Sequence, residues 1–236
     1  MSGNGRQTEP QAVIERYARR GGSGRYSYLA PEVHLAAQER QRRLIGLLKT
    51  HLPDSELASL KLLEIGCGTG DSILEMLRLG FEPANLVGVE LIPARAARAR
   101  ERLPERVAVL HGDAMSVPAD ADGKFDIVLQ SLVFSSLLAN DFQETLARRI
   151  WSLLRPGGAV LWYDFIYNNP VNPDVRGVPV KRVRQLFPEA MLSFRRVTLA
   201  PPISRLVCRV HPGAYALLNV LPFLRTHVLC WLAKSR

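Results

Sequence analysis

Apolar and polar positions change rhythm near residue 60. Before it, Val13, Ile14 and Tyr17 recur at helical spacing across Gln11 to Arg20, and Gly21, Gly22 and Gly24 end the run. Pro31 to His51 sets Val33, Ala36, Ala37, Leu44, Ile45, Leu47 and Leu48 among charges, with Pro31 suited to a first helical turn. Two helices are therefore expected. From Lys61 onward, short apolar runs alternate with amphipathic ones. Leu62–Ile65, Leu86–Leu91, Val107–Leu110, Phe125–Gln130 and Ala159–Phe165 read as strands; Asp71–Leu79, Pro93–Leu103 and Asp141–Leu154 read as helices. This alternation predicts an α/β fold, built from right-handed βαβ units around a parallel sheet covered on both faces. The tail departs from it: a helix over Pro179–Phe187, a strand over Met191–Leu199, an irregular helical insertion at 201–224 and a last strand over Thr226–Leu232. Seven strands result.

Composition narrows the class. The chain has 236 residues, 47% hydrophobic and 22% charged, which suits one globular domain with a small appendage and excludes a disordered chain. Its net charge of +9 invites a nucleic-acid reading. Yet the arginines are scattered along predicted helices (Arg40, Arg42, Arg43, Arg95, Arg98, Arg100, Arg102, Arg148, Arg149), as on solvated helix faces. Three cysteines without a CxxC pair argue against a disulfide framework or a zinc knuckle; a reducing cytoplasm fits, and no metal site is expected. Met1 to Pro10 lacks an apolar core, so no signal peptide is read there. Pro222 and the Arg225-Thr226-His227 run break the apolar stretch Ala214–Ala233, so no transmembrane segment is expected.

The strongest chemical signal is Glu64-Ile65-Gly66-Cys67-Gly68-Thr69-Gly70, a strand running into a glycine loop and then a helix. Such a loop lets a nucleotide-type ligand approach the backbone. The dinucleotide fingerprint G-x-G-x-x-G does not fit, because the third glycine arrives one residue early and Asp71 takes the sixth position. Pyrophosphate would meet carboxylates here; a cationic cofactor with an amino-acid tail suits the acidic pattern better. The motif, followed by Glu90 ending Val87-Gly88-Val89-Glu90, resembles the class I S-adenosylmethionine-dependent methyltransferases. Gly112-Asp113-Ala114, Phe125-Asp126-Ile127-Val128 and Leu154-Arg155-Pro156-Gly157-Gly158 follow in the family's order, so the likeness covers residues 60 to 165. The tract from Leu161 to Pro179 resembles a bacterial subgroup associated with small-molecule or glycan-related pathways.

The resemblance implies a Rossmann-like, mostly parallel seven-stranded sheet. It divides the chain into an N-terminal tail and helical lid at 1–60 and a cofactor-binding domain at 61–236. It implies S-adenosylmethionine as cofactor, with S-adenosylhomocysteine as product. Gly66, Cys67, Gly68 and Gly70 would pack against the cofactor, Glu64 would hold its ammonium or the loop, and Glu90 would accept from both ribose hydroxyls, with Leu91 beside it. Asp113 would accept from the adenine amino group, or cap a helix, or do both; Ala114 or Met115 would touch the ring. Gln130 and Ser131 would lie near the methionine tail, unless they are ordinary loop residues. Cys67 reads as a small loop filler rather than a nucleophile. Among the candidate bases, His34 on a pre-domain helix is the catalytic choice. Tyr26, Tyr28, Phe134, Tyr163, Asp164, Asn168 and Asn169 are the candidate acceptor contacts; Tyr163 and Asp164 stand at the carboxyl end of the fifth strand, where open α/β sheets bind ligands, and Asn168 and Asn169 follow in a Pro-bounded loop.

Methyl transfer to an O or N atom of a small-molecule or sugar-containing acceptor follows, with RNA or another macromolecule as the alternative. Gln130-Ser131-Leu132-Val133 lacks the Asn/Asp-Pro-Pro-aromatic motif of many nucleic-acid amino-methyltransferases, so nucleic acid is disfavoured as a partner. A cofactor-binding protein without transfer activity, and a membrane-peripheral protein using residues 201–224, complete the field.

Overall fold

The structure is a computed structural model that describes residues 8–19, 27–52 and 54–235. Its seven strands are β1 (Leu62–Ile65), β2 (Leu86–Glu90), β3 (Ala108–His111), β4 (Phe125–Ser131), β5 (Leu154–Phe165), β6 (Met191–Leu199) and β7 (Arg225–Ala233), in one sheet of order 3-2-1-4-5-7-6. β1 to β5 are parallel, and β7 runs antiparallel to both of its neighbours. The sheet is therefore mixed but mostly parallel. Chain order reverses between β1 and β4, which opens a crevice at their carboxyl ends.

Helices α1 (Glu9–Arg19), α2 (Pro31–His51), α3 (Asp71–Leu79), α4 (Pro93–Arg102), α5 (Asn140–Leu153), α6 (Val180–Leu186), α7 (Pro201–Val210) and α8 (Gly213–Leu218) surround it. The strands feed two cores, since alternate residues point to opposite faces. Leu63, Val128, Val160 and Trp162 pack with Val13 of α1, Ile150 of α5 and Val183 of α6. Leu62, Ile127, Leu161 and Trp231 pack on the other face with Leu44, Leu47 and Leu48 of α2, Ile73 of α3 and Ala99 of α4. The two N-terminal helices thus take different places: α2 is a structural face helix, whereas α1 lies at the crevice.

The predicted elements are present with shifted ends. β5 starts at Leu154 rather than Ala159, because Leu154 pairs with Phe125 before a register shift, while Arg155 forms an ion pair with Asp126. Leu132 and Thr198 hold positive φ (60° and 63°), costly for residues with a Cβ. Thr198 N donates to Glu39 Oε2 (2.7 Å), and the Thr198 and Tyr163 hydroxyls lie 3.0 Å apart. Among the described residues, no helix is long and apolar enough to cross a membrane.

Candidate cofactor site and catalytic pocket

A cavity of about 330 Å³ opens at the carboxyl ends of β1, β2 and β4. It is lined by Glu64, Gly66, Cys67, Gly68, Glu90, Leu91, Asp113, Ala114 and Ser131, so nine residues singled out from the sequence come together. Gly66 (φ 69°) and Gly68 (φ 60°) set the loop: a Cβ on Gly66 would stand 2.6 Å from Val133 Cγ2. Any larger residue would both strain the turn and close the crevice.

Two buried carboxylates face this space. Glu90 accepts from the Gly68 amide through Oε2 (2.7 Å) and from the Ile92 amide through Oε1 (2.8 Å). Each oxygen is fixed by one backbone N–H and keeps further lone-pair capacity. Glu64 is 1% exposed, and its Oε2 has no hydrogen-bond partner among the described residues. Burial pushes its carboxyl up to about 8, against the pull of the Ser72 hydroxyl and the Arg40 guanidinium, with Asp71 and Glu90 adding to the rise. A cation placed beside it would supply the missing partner. Asp113 caps the turn Ala114–Ser116 by accepting from the Ser116 amide (3.0 Å), so the cap is formed, at the cavity wall.

The remaining candidates divide. Gln130 is fully buried; its Oε1 accepts from Val133 N (3.1 Å), so it braces the loop after β4 without lining the cavity. Phe134 is also fully buried, its ring 4.6 Å from Trp162. Asp164 accepts from the Ser135 and Phe165 amides (3.0 and 2.9 Å), and burial pushes its carboxyl up to about 7. Asn169 accepts from Val171 N, which is turn chemistry, and Asn168 accepts from Gly177 N, which ties the two ends of the loop together. Tyr163 packs in the core beneath Arg40, whose guanidinium carbon is 5.3 Å from the ring centre. His34 bonds to Gln38 (2.8 Å) and meets the edge of exposed Tyr28; neither lines the cavity. The structure therefore brings none of these residues to the pocket. Tyr26 lies outside the described residues. Gly70 lies next to the lining residues Thr69 and Asp71, as the N-cap of α3.

The sequence pointed to the N-terminal helices as a lid but not to the residues that line the cavity from them. Pro10, Val13 and Tyr17 of α1 line the cavity, with Arg40 and Arg95. Glu9 and Arg16 form a 2.6 Å ion pair, Glu9 also accepts from Leu138 N (2.8 Å), and Arg16 donates to Ser136 O (2.9 Å). Arg95 lies over the Tyr17 ring at 5.1 Å. The i, i+7 spacing of Glu9 and Arg16 was the available signal.

Residues 62–158 match the model of a methyltransferase-domain family. Over that stretch the chain carries a methyltransferase domain and resembles the class I S-adenosylmethionine-dependent methyltransferases. Trans-aconitate 2-methyltransferase from Delftia acidovorans is 28% identical over 130 residues, 55% of this chain and 46% of that protein. A tRNA N(3)-cytidine methyltransferase, METTL2B of Homo sapiens, is 28% identical over 116 residues, 46% of this chain and 30% of its own length. The chain thus spans less than half of these curated relatives. The fold recurs in an S-adenosylmethionine-dependent methyltransferase from Mesorhizobium loti (TM-score 0.59, 16% identity, 80% of this chain and 96% of that one). The methyltransferase domain's cofactor is S-adenosylmethionine, and the pocket fits it: one oxygen of the buried Glu64 carboxylate has no hydrogen-bond partner among the described residues, and the loop has no space for a Cβ at Gly66.

Proposed function

We propose that the protein transfers a methyl group from S-adenosylmethionine to an O or N atom of a compact, acidic small molecule. The observation that carries this reading is the roof: α1, pinned by Glu9 and Arg16 to the loop after β4, covers the cavity and leaves room for a compact acceptor rather than a flipped nucleotide on a polymer. In this reading Glu90 serves the ribose diol, Glu64 the ammonium, Asp113 the adenine amino group, and Leu91 and Ala114 flank the ring. The bound cofactor supplies an electrophilic sulfonium methyl. The chain's own residues orient the partners and exclude water, which supplies much of the rate for such a transfer.

No histidine lines the cavity among the described residues, and burial pushes the Cys67 thiol up to about 12, far from a thiolate. The site thus favours an acceptor that needs no protein base, such as a carboxylate, and Arg40 and Arg95 supply positive charge for it. Trans-aconitate, named in one relative, is a carboxylate of this kind. The tRNA relative and the net charge of +9 support the alternative acceptor. Incubation with methyl-labelled cofactor and matched panels of small carboxylic acids, sugar acids, amines and transfer RNA separates them. Label in a small acid is expected; label in RNA alone would overturn the reading.

A further inference from the structure

We infer that the α7–α8 excursion is a docking surface for an anionic lipid bilayer. α7 carries Ser204 and Cys208 on its buried face. Its outer face presents Leu206 and Val210, one turn apart and 64% and 84% exposed. Leu217 of α8, then Val220, Leu221 and Phe223 in the turn before β7, extend the same exposed apolar character. Six large apolar side chains exposed on one short excursion mark an interaction surface rather than ordinary scatter.

Charge selects the occupant. From residue 190 to the end the chain has no Asp or Glu, against Arg195, Arg196, Arg205, Arg209, Arg225, Lys234 and Arg236. Arg205 and Arg209 sit beside Leu206 and Val210 and make no ion pair within the described residues. The carboxylate felt by α7, that of Glu32 on α2, acts on Cys208 of the buried face. An apolar stripe with flanking arginines and no acid matches acyl chains beneath anionic headgroups. A second copy across a two-fold axis would instead set this acid-free, arginine-bearing patch against an identical one, with no carboxylate in it to pair the arginines. β6 runs parallel to β1–β5, so the excursion leaves from the sheet edge that also bears the cavity. Docking would turn that edge to the bilayer.

Flotation of the full chain with vesicles of phosphatidylcholine, with and without phosphatidylglycerol, tests the inference. Binding is expected only with the anionic lipid and should weaken as salt rises. Leu206→Glu/Phe223→Glu should lower it about tenfold or more. Arg205→Gln/Arg209→Gln should lower it and remove most of its salt dependence. Unchanged circular dichroism and S-adenosylhomocysteine affinity exclude unfolding, and Leu217→Ser/Val220→Ser serves as a milder second variant. Absence of vesicle binding, equal binding by the apolar variants, or a concentration-dependent dimer that Leu206→Glu dissolves would each overturn it.

Discussion

At the carboxyl ends of β1 and β2, two carboxylates are held almost out of water beside a glycine loop, and a backbone amide fixes each oxygen of Glu90. Across the same sheet, between β6 and β7, the chain spends 25 residues on an excursion with no carboxylate and with large apolar side chains in solvent. The first region buries carboxyl groups at a cost to stability, as the proposed cofactor site requires. The second exposes surface that folding alone would bury. The contrast teaches that function is written here as departure from the folding optimum, in opposite directions at the two places.

Glu64→Gln should have the largest effect on the contrast. Its folded carboxyl titrates near 8 rather than the usual 4.5, so the folded state holds that proton more tightly than the unfolded one. Stability from this group is therefore greatest below about 4.5 and falls as pH climbs toward 8. Asp164, raised to about 7, acts in the same sense. Denaturant melts at pH 9 should show the unliganded Gln variant about 2–4 kcal/mol more stable than the wild type, with a flatter pH dependence. The same variant should bind cofactor more weakly, and cofactor binding to the wild type near pH 7 should release a proton, measured by calorimetry in buffers of differing ionisation enthalpy. A wild-type melt whose stability rises between pH 5 and 9 would break this half of the comparison.

Gly66→Ala comes next: positive φ and the approach of Val133 should cost roughly 2–3 kcal/mol and abolish cofactor binding. Leu132→Gly, which relieves a positive φ at the cavity wall, should stabilise the chain by about 1 kcal/mol in chemical denaturation. Leu217→Ser, on the exposed excursion, should change stability by less than about 0.5 kcal/mol. A large loss there would show that the patch supports the fold and would erase the difference between the regions.

Much of the cofactor side was legible because its demands are local. A glycine at positive φ, an acid ending a strand and an aspartate before a turn each leave a mark in a few adjacent letters, and Gly66, Glu90 and Asp113 all line the cavity. The rest of the cavity wall was not legible, because its residues meet through tertiary packing. Tyr17 reaches the cavity from α1 and Arg40 from α2, on opposite faces of the sheet, while His34, six residues before Arg40 on the same helix, stays outside. Tyr163 and Asp164 show why strand ends mislead: their polar atoms are spent on Thr198 and on the Ser135 amide. The exposed stripe on α7 was visible only as an apolar, basic stretch, since burial decides which face is left over.

Titration of S-adenosylhomocysteine into the wild type and Glu90→Ala by calorimetry tests the cofactor site most directly. Saturable one-to-one binding is predicted for the wild type, with a loss of about a hundredfold or more in the variant, since a fixed, buried acceptor of charge-assisted hydrogen bonds is removed. A wild type that binds none, or a variant that binds equally well, would contradict it.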